Sequence, residues 1–132
     1  MQTGKIVQVM GPVVDVAFDT TPLPEIKTAL KVDNHGRECV MEVAQQMGQS
    51  VVRCIMLSAS EGLERDMVVT NTGAGITVPV GEKTLGRLFN VLGDAIDGQP
   101  APETEEHWEI HRKPPKFEDQ NPVQEVLETG IK

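Results

Sequence analysis

GKIVQVMGPVVDVAF, residues 4–18, is the stretch whose reading decides the fold. Val and Ile crowd Lys5 to Val9 and Val13 to Phe18, and β-branched side chains suit a pleated, half-buried surface. Gly11-Pro12 separates the two runs; Pro cannot donate to a ladder, so a bend or bulge is expected there. The same grammar repeats along the chain. Pro22 and Pro24 mark a loop, Thr28 to Val32 alternates, Asp33-Asn34-His35-Gly36 is turn chemistry, and Glu38 to Ala44 alternates again, which predicts a hairpin. Gln45 to Gln49 turns, Val51 to Leu57 is an apolar run, and Glu61-Gly62 breaks it. Met67 to Thr70 and Ile76 to Val80 are the last two short strands. Short strands recurring at roughly 8–12-residue spacing predict an all-β unit, a small six-stranded antiparallel barrel. Ile6, Val14, Val16, Val52, Ile55 and Val78 are its expected core.

Near residue 80 the pattern changes. In GEKTLGRLFNVLG, Leu85, Leu88, Phe89 and Leu92 fall at i, i+3, i+4, i+7, the face of a helix. Gly81 precedes it, Glu82 suits its positive end and Gly93 is placed to stop it. Asp97-Gly98, Pro100 and Pro102 read as turn and linker, and residues 103–116 show no clean period. Asn121-Pro122 reads as an N-cap with Pro at the first helical position, and Val123, Val126 and Leu127 give a short apolar face before Gly130. The chain therefore divides into a barrel over 1–80 and the opening of a second unit over 81–132, whose stretch of loop is long for a free-standing domain. No internal repeat is present.

Composition excludes several functions. The net charge is −8, from 12 Lys and Arg against 20 Asp and Glu, and tyrosine is absent. Neither half offers the basic face that nucleic acid or an anionic membrane surface requires. Phe18, Phe89, Trp108 and Phe117 are the only aromatics, too few for a base-stacking platform. No apolar run is long enough for a transmembrane helix, and the start lacks a signal-peptide pattern. Cys39 and Cys54 lie in apolar runs and read as buried, reduced thiols, which suits a cytoplasmic protein.

The candidate chemistry is thin. Gly75, Gly81, Lys83 and Thr84 approach a phosphate-binding loop, but the glycine spacing is wrong and Glu82 stands before the lysine, where a carboxylate repels phosphate. His107 and His111, four apart with Glu109 between them, could share a helical face as metal ligands, but the order is not that of a zinc protease, and in an extended segment the rings sit about 13 Å apart. Asp94 and Asp97-Gly98 lack the further ligands of a calcium loop. Glu103, Glu105 and Glu106 read as a solvated charge run. Neither cysteine is set among basic residues, and no GxSxG occurs. We assign no catalytic, nucleotide-binding or metal residue.

Four stretches carry a resemblance. GKIVQVMGPVVDVAF (4–18) and GLERDMVVTNTGAGITVPVGEKTLGRLFNVLGDAIDG (62–98) resemble the bacterial F-type ATP synthase β subunit family, and IHR (110–112) and LETGIK (127–132) match two further stations in order. VPVG followed by TLGRLFNVLG is closer to β than to α subunits. The sequence departs from the family's pattern in three places. Asp66 stands where Gly is usual, in the turn after Leu63. Thr70 to Gly75 replaces a more usual DTG followed by a small residue and Pro, and Lys113-Pro114-Pro115-Lys116 is more basic than expected.

The resemblance implies an N-terminal barrel followed by a short, mainly helical or irregular stub of an α/β nucleotide-binding domain. In the family, barrels of alternating α and β subunits pack into a ring. The implied partners are α subunits through neighbouring barrels, with the central γ stalk reached only through later domains and no direct contact with membrane or nucleic acid. The implied place is cytoplasmic, peripheral to the inner face of the cell membrane. Mg-ATP and ADP are the full subunit's ligands. The family's phosphate loop follows the TGIK stretch, and the chain stops at Lys132, so this segment is expected to be inactive alone and to act structurally. The competing reading is an autonomous β-barrel binding module.

Overall fold

The computed structural model describes residues 2–120, 122, 123 and 126. The short helix expected after Asn121, with Leu127 and Gly130, falls largely outside the described residues. Six strands, β1 (Thr3–Met10), β2 (Val13–Phe18), β3 (Ala29–Asn34), β4 (Arg37–Gly48), β5 (Val51–Met56) and β6 (Val68–Asn71), close into an antiparallel barrel in the order β1-β2-β5-β4-β3-β6. The all-β expectation and the six-stranded barrel are both met.

Period-two alternation builds the interior. Val14, Val16 and Phe18 of β2, Leu30 and Val32 of β3, Cys39, Met41 and Val43 of β4, and Val52, Cys54 and Met56 of β5 all turn inward. Ile6 and Val69 fill the seam, and Leu23, Leu63 and Met67 pack against the same cluster. The interior is therefore a packed core rather than a ligand cavity. Of the six core residues expected from sequence, Ile6, Val14, Val16 and Val52 are fully buried. Ile55 is 47% exposed. Its place three residues after Val52 gives it the opposite parity, which sends it outward. Val78 is half-buried on a strand outside the barrel.

Turns follow their chemistry. Gly11-Pro12 makes a two-residue turn, with Met10 opposite Val13, rather than a bend within one strand; the bulge in β1 falls between Ile6 and Gln8. His35 and Gly36 both have positive φ and join Asn34 to Arg37, the left-handed pair that a tight hairpin favours. The Gly36 N–H donates to the Asp33 side chain at 2.7 Å. Asp66, the residue expected to be unusual in its turn, has φ 69. That is the region where glycine is at ease and other residues are strained. Its N–H donates to the Ile6 carbonyl at 2.8 Å, so the strained turn aligns β6 against β1.

After the barrel, β7 (Thr77–Val80) pairs with β8 (Glu106–Glu109) as a separate two-stranded sheet. The expected helix over 82–92 is absent: only one turn of 3-10 helix forms, at Glu82–Thr84, and Leu85 is 77% exposed. Gly86 and Gly93 both take positive φ, which interrupts the helical path, and the region bonds itself across a tight loop instead. The stretch read as irregular supplies β8. A second small cluster of Ala29, Val40 and Ile76, with Leu57 and Leu92 against it, seats this part on the outer wall of β3 and β4.

Gly4 sits under the β2 edge, where an added Cβ would lie 2.6 Å from the Ala17 carbonyl oxygen and 2.9 Å from the Phe18 ring. Gly4→Ala is therefore expected to cost about 1–3 kcal/mol in urea unfolding, an overpacking penalty. Asp66→Gly is expected to stabilise the barrel by up to about 1 kcal/mol, because relief of the left-handed strain outweighs the added freedom of the unfolded chain.

Candidate interaction surface

The groups singled out for chemistry are separated by the fold. Lys83 donates to the Glu103 carbonyl at 2.8 Å, and Thr84 donates to the Gly81 carbonyl. Lys83 lies in an open cleft of about 430 Å³ lined also by Glu82, Glu105 and Glu106. Four glutamates, Glu103 included, line it beside one lysine, so these residues do not fit a nucleotide phosphate. Gly75 is elsewhere, against the Lys27 carbonyl. His107 lies on β8 opposite Pro79, whereas His111 bonds the Glu42 carboxylate on β4 at 2.8 Å. Arg112 stacks over the Trp108 ring at 3.7 Å. Among the described residues no group of three or more His, Cys, Asp or Glu could hold a metal ion. Cys39 and Cys54 are free and fully buried. Burial, with the Asp15 charge adding to it, pushes the Cys54 thiol up to about 12, so it stays protonated and inert.

Asp94 and Asp97 have structural duties. Residues 88–96 form a miniature hairpin, with Phe89 bridged to Ala95 and the Ile96 N–H bonded to the Leu88 carbonyl at 2.9 Å. The Asn90 side chain closes its tip: its oxygen accepts from the Leu92 and Asp94 N–H groups, and its amide donates to the Asp94 carboxylate, each at 2.9 Å. Gly93 is required twice over. Its φ is 83, and a Cβ there would lie 2.8 Å from the Pro79 ring of β7. Behind the hairpin, Arg87 grips Asp97 through Nε and Nη2 and also donates to the Pro100 carbonyl at 2.7 Å. That hydrogen bonding holds the Asp97 carboxyl below the usual carboxylate range; burial opposes it, and the Gln99 and Leu88 N–H groups assist. The hairpin displays Leu88, Val91 and Ile96, all more than half exposed.

The barrel wall carries a second apolar feature. Met10 is opposite Val13, Val13 opposite Ile55, and Ile55 opposite Glu42. Directly paired residues share a face, so these side chains form one outward row across β1, β2, β5 and β4. Met10 is 43% exposed and Val13 is half-buried. Two residues along, on the same outer face, Asp15 pairs with Arg53. The guanidinium donates twice, Nε to Oδ1 at 2.8 Å and Nη2 to Oδ2 at 2.9 Å. Such a fork fixes both side chains. The sequence reading missed both the ion pair and the row. Each follows from strand register, and register across β2 and β5 is not visible until the strands are paired.

The Arg53 bonds lower the Asp15 carboxyl from its ordinary value, against the opposing effect of burial. A carboxyl depressed in the folded state contributes stability that is full above the unfolded value, ~3.9, and is lost as pH falls through the folded one. Arg53→Met is accordingly expected to lower the urea midpoint at neutral pH, and the gap from the parent should narrow below about pH 4, where Asp15 of the unfolded chain takes up its proton while the folded parent resists. A gap independent of pH would remove the ion pair from the account.

Residues 6–73 match the family model described as the ATP synthase alpha/beta family, beta-barrel domain.

Proposed function

The chain belongs to the ATP synthase alpha/beta family, and from that premise we propose that it is the N-terminal part of the catalytic β subunit of a bacterial proton-translocating ATP synthase. Its barrel acts in assembling the ring of α and β subunits. The observation that carries the reading is the outward Met10–Val13–Ile55 row on a closed barrel, flanked by the fixed Asp15–Arg53 fork. A sealed barrel has no free strand edge to offer, so a neighbour must be met through side chains on its wall. An apolar strip beside a preorganised ion pair suits that contact, with the apolar centre losing water and the polar rim setting register.

The β assignment, as against α, is supported by VPVG at 78–81 with TLGRLFNVLG at 84–93. The partners in this reading are α subunits on either side, with the γ stalk touched only by other domains, and the place is the cytoplasmic face of the cell membrane. Mg-ATP and ADP belong to residues beyond the barrel. The Leu88, Val91 and Ile96 surface of the hairpin faces the nucleotide domain of the same subunit. The net charge of −8 weighs against a nucleic-acid-binding module.

Sedimentation of this chain with the cognate α subunit tests the proposal. Ile55→Glu is expected to weaken association by about tenfold or more, as burying a charge at an interface centre does, while leaving the circular dichroism spectrum unchanged. Equal binding by parent and variant would remove the row from the interface. A downstream reading frame without GxxxxGK[ST] would remove the β assignment.

A further inference from the structure

Asp-Gly is the pair at which a chain most readily cyclises on itself. Glycine puts no side chain in front of its amide and visits backbone conformations other residues avoid. At Asp97-Gly98, Gly98 has φ 75, and the space where a Cβ would stand is open. No side chain of residue 98 therefore stands before its amide. The Asp97 carboxylate, by contrast, is held from several directions. Arg87 Nε and Nη2 take one oxygen each, the Gln99 N–H donates to Oδ1 at 3.1 Å, and the Leu88 N–H lies 3.4 Å from Oδ2. Arg87 is itself anchored on the Pro100 carbonyl, so the clamp cannot simply follow a rotating carboxylate.

We propose that Asp97-Gly98 is a latent isoaspartate-forming site, held silent by the Arg87 clamp. In the reaction the Gly98 nitrogen bonds to Asp97 Cγ. The amide proton and one carboxyl oxygen, with a further proton from solvent, leave as water, giving a succinimide. Water then adds to one of the two imide carbonyls and the ring opens, to aspartate or to isoaspartate; no oxidant or co-reactant is needed. The clamp opposes the first step in two ways. Cγ must turn toward the Gly98 nitrogen, which breaks the paired bonds to Arg87. The oxygen departs easily only from the protonated acid, and the guanidinium favours the anion. Arg87 is thus a positioning residue for an unreactive geometry. Isoaspartate would lengthen the backbone by one carbon beside the clamp, moving Gln99 and Pro100 out of reach of their partners and loosening the base of the hairpin.

The test is to age the 132-residue chain at neutral pH and physiological temperature and to measure isoaspartate at position 97 by peptide mapping and by enzymatic methyl-ester labelling. The native chain is expected to accumulate it slowly. The urea-unfolded chain and Arg87→Ala are expected to do so several-fold faster. Arg53→Met, which removes the ion pair to Asp15, is expected to match the native rate. A native rate equal to the unfolded one overturns the proposal, as does a folded Arg87→Ala variant that ages no faster than its parent. Acceleration in Arg53→Met equal to that in Arg87→Ala would also overturn it, by making general loosening the cause.

Discussion

Closure is the constraint on which the rest of this structure depends. β1 must pair with β2 along one edge and with β6 along the other, and only then does the sheet lose its free edges. Gly4 stands at that seam, opposite Phe18 on one side and Val69 on the other. A side chain there would strike the neighbouring carbonyl, so the absence of a Cβ lets the large Phe18 ring fold inward over β1. The bulge beyond Ile6 then re-aims the strand, and the Ile6–Met67 and Asp66–Ile6 backbone bonds extend the β1–β6 contact as far as the bulge.

Once the interior is sealed, everything else must be built on the outside. The segment after β6 stays close: Thr72 and Ala74 bond back to Ala29, and Ile76 and Leu92 cover the outward faces of Ala29 and Val40. The His111–Glu42 bond ties the far end of the same segment to β4. This leaves β1, β2 and β5 as open wall, which is where the Met10–Val13–Ile55 row stands. Among the described residues, one side of the barrel carries the segment that follows β6, and the other side is open.

The barrel was legible in the sequence because alternation and turn residues are local signals. Val14-Asp15-Val16 declares its inward and outward sides within three residues, and His35-Gly36 declares its turn. Ile55 was misplaced by chemistry overriding parity: an isoleucine in an apolar run was counted as core although Val52 and Ile55 cannot face the same way in one regular strand. The helix over 82–92 failed for a different reason. Leu85, Leu88, Phe89 and Leu92 have helical spacing, but spacing makes a helix only when a surface receives the face, and the glycines at 86 and 93 are needed in left-handed turns. Arg87, Asn90, Gly93 and Asp97 are the residues whose side chains or φ values shape the hairpin. A conformation held by such specific bonds has no periodic signature. The outer row was invisible for a further reason, since it combines single residues from strands far apart in sequence.

The two thiols acquire a meaning from the sealed interior. Cys39 and Cys54 face inward from adjacent strands, with no path to the solvent short of those strands parting. They behave as clocks for the breathing of the barrel: a small alkylating reagent records how often the wall comes apart, and a neighbour clasping the wall would slow both clocks together.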